Sequence, residues 1–427
     1  MNTANTGFQR KSLLNNTIML TLLTGSNYVF GLMSVPYLTR VLGPETYGFI
    51  GLGNAFYTIV QLVLDFGFLL SGTLEIAKCD GDHERIQRVF SAVIVAKAFL
   101  VFPVFCVTLV IVCSVSRFSN DILLYLLYFA YAACNVLVPD FLYRGLENMV
   151  SVTIRNVIVK TVFVSLIFLF VKEPSQYHLV PIFYACGSLV STVTMYEHVH
   201  RVLRINFVRV SWHEVFVQLK KSSLYFLSRV ASTVFTSVNT IVMGFIAPTG
   251  PTVGCYSATN TTINAGRQIV TPVTDSLFPN IVRTKNYRLM YKVAIFGSVL
   301  LACGCIVVGV FAKPLCLFAF GEGYDDMVPM LRIMLPLIPI ALLSYLFGWS
   351  GLGSIGKDAM TNISVVVGAV VHIILLAALF VMGQLSPLML CATSVATQFT
   401  ILVIRVFTFF NGVKTQSSFR EASNEML

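Results

Sequence analysis

Three ionisable residues stand where the surrounding sequence calls for hydrocarbon. Arg229, Arg267 and Asp65 each fall inside a long apolar run. A guanidinium keeps its charge and presents five N–H donors in a flat fork, which matches the oxygens of a phosphate group. Two such cations on neighbouring helices would suit a doubly charged phosphate, and Lys160 would add to the same field. The competing reading is internal pairing, with Asp65 or Asp275 holding Arg267. Asp65 itself reads as a coupling or gating residue, or as a buried partner for a cation.

These residues do not stand alone. Asn54, Thr58, Gln61 and Asp65 follow one another at spacings of four, three and four, and Asn260, Asn264, Arg267 and Thr271 repeat that spacing 206 residues later. Such spacing lines one face of a helix. Thr46-Tyr47-Gly48 and Thr252-Val253-Gly254 match at the same offset, and Arg229, Thr233, Thr236 and Thr240 form a third stripe. A polar face recurring at one offset implies a duplicated chain. Because polar groups facing lipid are costly, the stripes should face a shared, water-accessible interior.

The remaining charges have simpler readings. Asp140 and Arg144 are four apart and read as a helix-surface ion pair. Arg405, near the inner end of the last run, is placed to snorkel toward the headgroups. Arg155 and Lys160 sit a few turns from the inner face, Lys97 is moderately deep, and Arg332 precedes Pro336 and Pro339, which should kink its helix. Gly351 to Lys357 has the spacing of a phosphate loop, but Asp358 stands where Ser or Thr is needed and no strand precedes it. His198 and His200 beside Glu197 read as a polar helix end rather than a metal site, and His372 as a satisfied interior residue. The ten cysteines show neither metal nor disulfide spacing. No nucleophile constellation is present, so an enzyme is not expected, and no cofactor is implied.

The elements that position these groups follow from composition. Of 427 residues 56% are hydrophobic and 11% charged, which excludes a soluble chain of this length. A span needs about 20 apolar residues. Twelve such runs fit between residues 14 and 410, giving an all-α membrane protein of two pseudo-symmetric six-helix lobes around a central cavity. The expected lobes are 1–205 and 206–427, with 201–221 as a cytoplasmic linker that could form an interfacial amphipathic helix. The first run follows Arg10 and Lys11 and reads as an uncleaved first helix. Basic residues crowd one set of joints, as in Arg201, Arg204, Arg209, Lys220 and Lys221, against only Arg40, Arg117, Lys172 and Lys313 on the other. Both termini are then cytoplasmic. The net charge of +10 meets anionic inner-membrane lipids, so no nucleic-acid partner is needed.

Ser26-Asn27-Tyr28, the stretch Pro36-Tyr37-Leu38-Thr39-Arg40-Val41-Leu42-Gly43-Pro44-Glu45-Thr46-Tyr47-Gly48, and Asp65-Phe66-Gly67-Phe68 followed by Ala77-Lys78 resemble the opening of the polysaccharide-export flippases. These belong to the multidrug/oligosaccharidyl-lipid/polysaccharide exporter superfamily, and the subgroup resembled is the O-antigen transporters. The resemblance implies two six-helix lobes and transfer of an undecaprenyl-pyrophosphate-linked repeat unit from the cytoplasmic to the periplasmic leaflet. It also implies alternating access coupled to an ion gradient, of H+ or Na+, and other polysaccharide-assembly proteins as partners. On that reading arginines replace lost phosphate hydration, and Asn54, Gln61, Asn260 and Asn264 bond sugar hydroxyls. The rival within the superfamily is an ion-coupled multidrug antiporter, which would favour carboxylates in the cavity. A polymerase or glycosyltransferase would need a sizeable external loop, and none is present.

Overall fold

In the computed structural model the described residues, 3–247 and 251–425, are helical with no strand. Side chains are described for these except most residues before Gly25, positions 27, 28, 32, 228, 232, 234–236 and 279, and those after 415. The side chains of Arg10, Lys11, Asn27, Tyr28, Thr236 and Arg420 thus lie outside the described set. Nine described helices are long and apolar enough to cross a membrane, so the chain is a multi-pass membrane protein. The expected spans at 222–247 and 253–280 are helices, but are not among the nine. Their polar stripes dilute the apolar windows, as lining positions do.

The chain forms two compact units, Met1–Thr233 and Val234–Leu427. The first contains α1 (Thr3–Asp65), α2 (Phe68–Ala77), α3 (His83–Ser114), α4 (Ser116–Ser119), α5 (Ile122–Val136), α6 (Asp140–Gly145), α7 (Met149–Phe170), α8 (Leu179–Arg201) and the first part of α9 (Trp212–Ile246). α1 is broken at Gly43, whose φ of 72° and ψ of 168° leave the helical path. Pro44 follows, where a missing N–H costs little because a new helical segment begins. Before the break α1 packs on α7, with Tyr37 against Phe168, and past it on α5, with Phe56 against Tyr125; α8 covers both of these helices. One core gathers Phe56, Leu64, Tyr125, Tyr128 and Ala132; a second gathers Phe68, Phe90, Phe141 and Tyr143.

The segment expected as an amphipathic linker helix is not one. Residues 204–211 are non-helical, and α9 starts at Trp212 behind a reciprocal cap. The Ser211 N–H donates to the Glu214 carboxylate at 2.7 Å, and the Glu214 N–H donates back to Ser211 Oγ at 3.3 Å. Ile205 and Val215 join the second core, and Ser222 meets Ser71 at 2.6 Å. The compact unit therefore runs to Thr233, beyond the boundary expected after residue 205.

The second unit holds the rest of α9, then α10 (Thr252–Gln268), α11 (Thr271–Thr284), α12 (Tyr287–Val310), α13 (Ala312–Phe320), α14 (Met327–Met334), α15 (Leu337–Tyr345), a π-helical segment at Leu346–Leu352, α16 (Asp358–Val381) and α17 (Pro387–Glu425). α14 and α15 pack against α10 and α17, and α16 lies along α17. The helix breaks at Pro336, as the proline spacing anticipates. α12 leaves Phe296, Leu300, Ile306 and Val310 exposed, a surface suited to lipid tails.

Arg405 does not snorkel. It is 5% exposed and donates to the Ser344 carbonyl and Oγ, Ser364 Oγ and the Thr361 carbonyl at 2.8–3.2 Å. The π-helical turn and Gly348 make the room, since a Cβ on Gly348 would lie 2.7 Å from the guanidinium.

Candidate functional site

Unit 1 encloses a cavity of about 440 Å³ bounded by α1, α5, α7 and α8. Its polar lining is rich: Asn54 from α1, Asn135 from α5, and Arg155, Asn156 and Lys160 from α7. Residues 155, 156, 159, 160 and 163 all line it, as one helical face should. Tyr57 and Tyr131 stack at 4.1 Å between centroids and 8° between planes, and Asn135 donates to the Tyr57 hydroxyl at 2.9 Å. Together they form an aromatic platform with a polar edge.

Arg155 is the distinctive member. Its Nη2 lies 3.4 Å from Asp140 Oδ1, while Nε and Nη1 are buried without a hydrogen-bond partner. Buried donors are normally satisfied, so two partnerless nitrogens on a side chain that lines a polar cavity set Arg155 apart. Asp140 pairs with Arg155 and not with Arg144, correcting the expected surface pair. The cause is the break at Pro139, which starts a new helix at Asp140 and leaves the carboxylate within reach of α7.

Asp65 and Arg229 occupy a separate cluster in the same unit. Asp65 Oδ2 accepts from Arg229 Nη1 at 2.6 Å, and Lys97 Nζ stands 3.4 Å from Oδ1. Lys97 is 3% exposed; it also donates to the Val136 carbonyl at 3.0 Å, an acceptor left over at the end of α5, and lies over the Phe141 ring. The site falls where α1 ends, in a turn made by Phe66 and Gly67 with φ of 44° and 80°. Gly67 is required there, because a Cβ would lie 2.7 Å from the Ser222 carbonyl and the Phe226 N–H. Phe66 stacks on Phe226 at 4.6 Å. Arg229 thus has an internal carboxylate partner.

In unit 2, Asn260, Asn264 and Arg267 line a far smaller cavity, about 20 Å³, with Tyr256, Ser394 and Gln398. Asn264 Oδ1 accepts from Arg267 at 3.5 Å, and Arg267 Nε is buried without a partner. Asp275 does not hold it: no ion pair to Arg267 forms among the described residues. Gln61 lies outside the unit 1 cavity, with a buried Oε1 that has no partner.

The structure therefore brings Asn54 and Lys160 together, groups Asn260, Asn264 and Arg267, and joins Asp65 to Arg229. Sequence reasoning placed Arg155 by its depth without assigning it to a site, and missed Asn156, Asn135 and the tyrosine pair. The signal was available in Arg155-Asn156 and Lys160, three polar residues on one face of an otherwise apolar span.

Residues 13–285 match the family described as polysaccharide biosynthesis protein, which is well over half of the chain. The chain belongs to that family. A protein of Escherichia coli (strain K12) named "Putative O-antigen transporter" is 29% identical over 349 residues, 79% of this chain and 82% of that protein. A protein of the same name from Shigella dysenteriae is 26% identical over 364 residues, covering 84% and 91%. Among solved structures the fold is similar to the lipid II flippase MurJ in an inward closed conformation, with a TM-score of 0.68 at 12% identity over 92% of this chain and 87% of that one. It is also similar to an inward-facing multidrug resistance MATE transporter, with a TM-score of 0.64 at 15% identity over 96% and 99%. This polysaccharide biosynthesis protein accordingly has a fold similar to those of MATE and MurJ.

Proposed function

We propose that this protein flips an undecaprenyl-pyrophosphate-linked O-antigen repeat unit from the cytoplasmic to the periplasmic leaflet of the bacterial inner membrane. The observation that supports this best is Arg155, a guanidinium with two buried, partnerless nitrogens, lining a cavity of about 440 Å³ that Lys160 also lines. Moving a pyrophosphate into a membrane strips its hydration, and fixed cationic donors replace those lost bonds. Asn54, Asn135 and Asn156 supply donors and acceptors for sugar hydroxyls, and the Tyr57–Tyr131 pair supplies a flat apolar face. Arg267 with Asn260 and Asn264 forms the second cationic group, and Gln61 and Arg229 complete the set that the substrate meets as the protein changes state. Asp65, held between Lys97 and Arg229, gates that change.

In this reading twelve spans form two six-helix lobes that alternate access, both termini are cytoplasmic, and an ion gradient drives the cycle. Other polysaccharide-assembly proteins receive the product. A drug antiporter would be served by carboxylates on the cavity wall. Here the cavity's single carboxylate, Asp140, is already drawn to Arg155.

Deleting the gene tests the proposal. Lipid-linked repeat units should accumulate on the cytoplasmic leaflet, and surface polysaccharide should fall. Unchanged surface polysaccharide in the deleted strain would remove the flippase reading.

A further inference from the structure

His372 of α16 is fully buried in unit 2 and touches two other helices. Its Nδ1 lies 2.8 Å from Thr397 Oγ1 on α17, and its Nε2 lies 2.9 Å from Asn239 Oδ1 on α9. Thr397 and Asn239 are also fully buried. No carboxylate bonds to the ring among the described residues.

Counting donors and acceptors fixes the protons. The Asn239 amide nitrogen donates to the Leu390 carbonyl at 3.2 Å and to Ser394 Oγ at 2.8 Å. A carbonyl can only accept, so the NH2 group faces Leu390 and the amide oxygen faces the ring. Nε2 must therefore be an N–H donor. On the other side Thr397 Oγ1 donates its hydrogen to the Thr393 carbonyl at 2.8 Å, which leaves only lone pairs for Nδ1. The Thr393 carbonyl also stands within hydrogen-bonding reach of the ring. With the Thr397 hydroxyl turned to that carbonyl, Nδ1 is an N–H donor as well, and a ring with both nitrogens donating is an imidazolium.

A second arrangement keeps nearly every bond. If the Thr397 hydroxyl swings from the Thr393 carbonyl to Nδ1, it becomes the donor and the ring is neutral with its hydrogen on Nε2. The Thr393 carbonyl keeps its place in the helix ladder, so nothing is stranded. One hydroxyl rotation thus separates the charged from the neutral ring.

We propose that His372 is a reversible proton-binding site, built from the fixed Asn239 amide on one side and the Thr397 hydroxyl as a rotor on the other. The proton leaves Nδ1 for water, the hydroxyl turns to donate to the bared nitrogen, and the ring's charge falls from one to zero. Water has a place nearby, because Ser394, which accepts from Asn239, lines the 20 Å³ cavity that holds Arg267, about the space one water occupies. Among the described residues of unit 2 the titratable and charged groups on these elements are Cys255, Tyr256 and Arg267 of α10, Tyr345 of α15, and Cys391, Arg405 and Lys414 of α17, with Asp358 at the start of α16 itself. None is an acid beside the ring, so the site's charge is set by its own proton. Resting on the flippase reading, this site makes the hydrogen ion the coupling ion, since taking up a proton changes the charge at the junction of α9, α16 and α17.

Nitrogen NMR of the intact chain in lipid vesicles, with isotope-labelled histidine, reads the ring directly. The sequence has 6 histidines. The His372 signals are those lost in His372→Gln, or, should that variant fail to fold, those moved by Thr397→Val, which removes the hydroxyl beside Nδ1. Both nitrogens should be protonated at about pH 5, with Nδ1 bare and Nε2 protonated at about pH 9. A single unchanging protonation state across that range, or a neutral ring protonated at Nδ1, would overturn the proposal. The NMR does not depend on the substrate. A titrating ring in a protein whose deletion leaves surface polysaccharide unchanged supports the proton site and removes only the transport reading.

Discussion

The two units handle buried cations in opposite ways. In unit 2, every nitrogen of the Arg405 guanidinium donates, to two serine hydroxyls and two carbonyls. In unit 1, Arg155 has one long contact to Asp140 and two nitrogens without partners, and it lines a cavity of about 440 Å³. Both are deep guanidiniums in apolar helices, and nothing in composition separates them. What separates them is unsatisfied donors with room beside them. A satisfied buried charge holds structure; an unsatisfied one beside a cavity is poised for a ligand.

The sharpest way to break this contrast is to truncate the satisfied member. Arg405→Ala removes four buried hydrogen bonds and leaves a cavity where the side chain packed, and should destabilise the protein by about 3–5 kcal/mol. Thermal unfolding in detergent and the amount inserted in the membrane both report it. A normally folded Arg405→Ala protein that fails in transport would place Arg405 in the site and undo the contrast.

Asp65 gives the next largest effect. Asp65→Asn strands Lys97 and loosens Arg229, a loss of about 3 kcal/mol. Adding Lys97→Met should restore part of it, because a buried cation without a partner is then gone. If the double variant is no more stable than the single one in the same melt, the cluster is not held by that charge pair.

A smaller effect tests a polar cluster outside the spans. Burial acts to raise the Asp121 carboxyl, but hydrogen bonds from His178 at 3.0 Å, Tyr177 at 2.6 Å and the Leu124 N–H outweigh it, and the group is held below its usual range. A carboxyl depressed by folding gives stability that is complete above its unfolded value of about 3.9 and is lost as pH falls through the folded value. Asp121→Asn should therefore cost about 1 kcal/mol near neutral pH and flatten the acid limb of stability against pH. An acid limb identical in both proteins would show that the cluster contributes nothing.

Much of this was legible in the sequence. The spacing of Asn260, Asn264 and Arg267 marks one helical face, and the three do line one cavity. Pro336 breaks its helix where expected. Other features depend on contacts distant in sequence. Asp140 has Arg144 one turn away, yet reaches Arg155 because Pro139 starts a new helix. Arg405 reads as a snorkelling residue because depth alone cannot reveal a π-helical turn and a glycine that open an interior pocket for it. The sequence shows the depth of Arg155 but not its role, because an unsatisfied donor is a property of the packed structure. Residues 204–211 look amphipathic, but Ile205 and Val215 bury themselves in a core the sequence does not display.

The most direct test of the account is export by Arg155→Ala and Arg155→Lys proteins present at wild-type levels in a strain lacking the chromosomal copy. Losing charge-assisted bonds worth about 1.5–3 kcal/mol should slow appearance of surface polysaccharide at least about tenfold in the alanine protein, with lipid-linked repeat units retained on the inner leaflet. Lysine, which keeps the charge but not the fork, should restore only part of the rate. Wild-type export by the alanine protein would contradict the central claim that Arg155 receives the anionic headgroup.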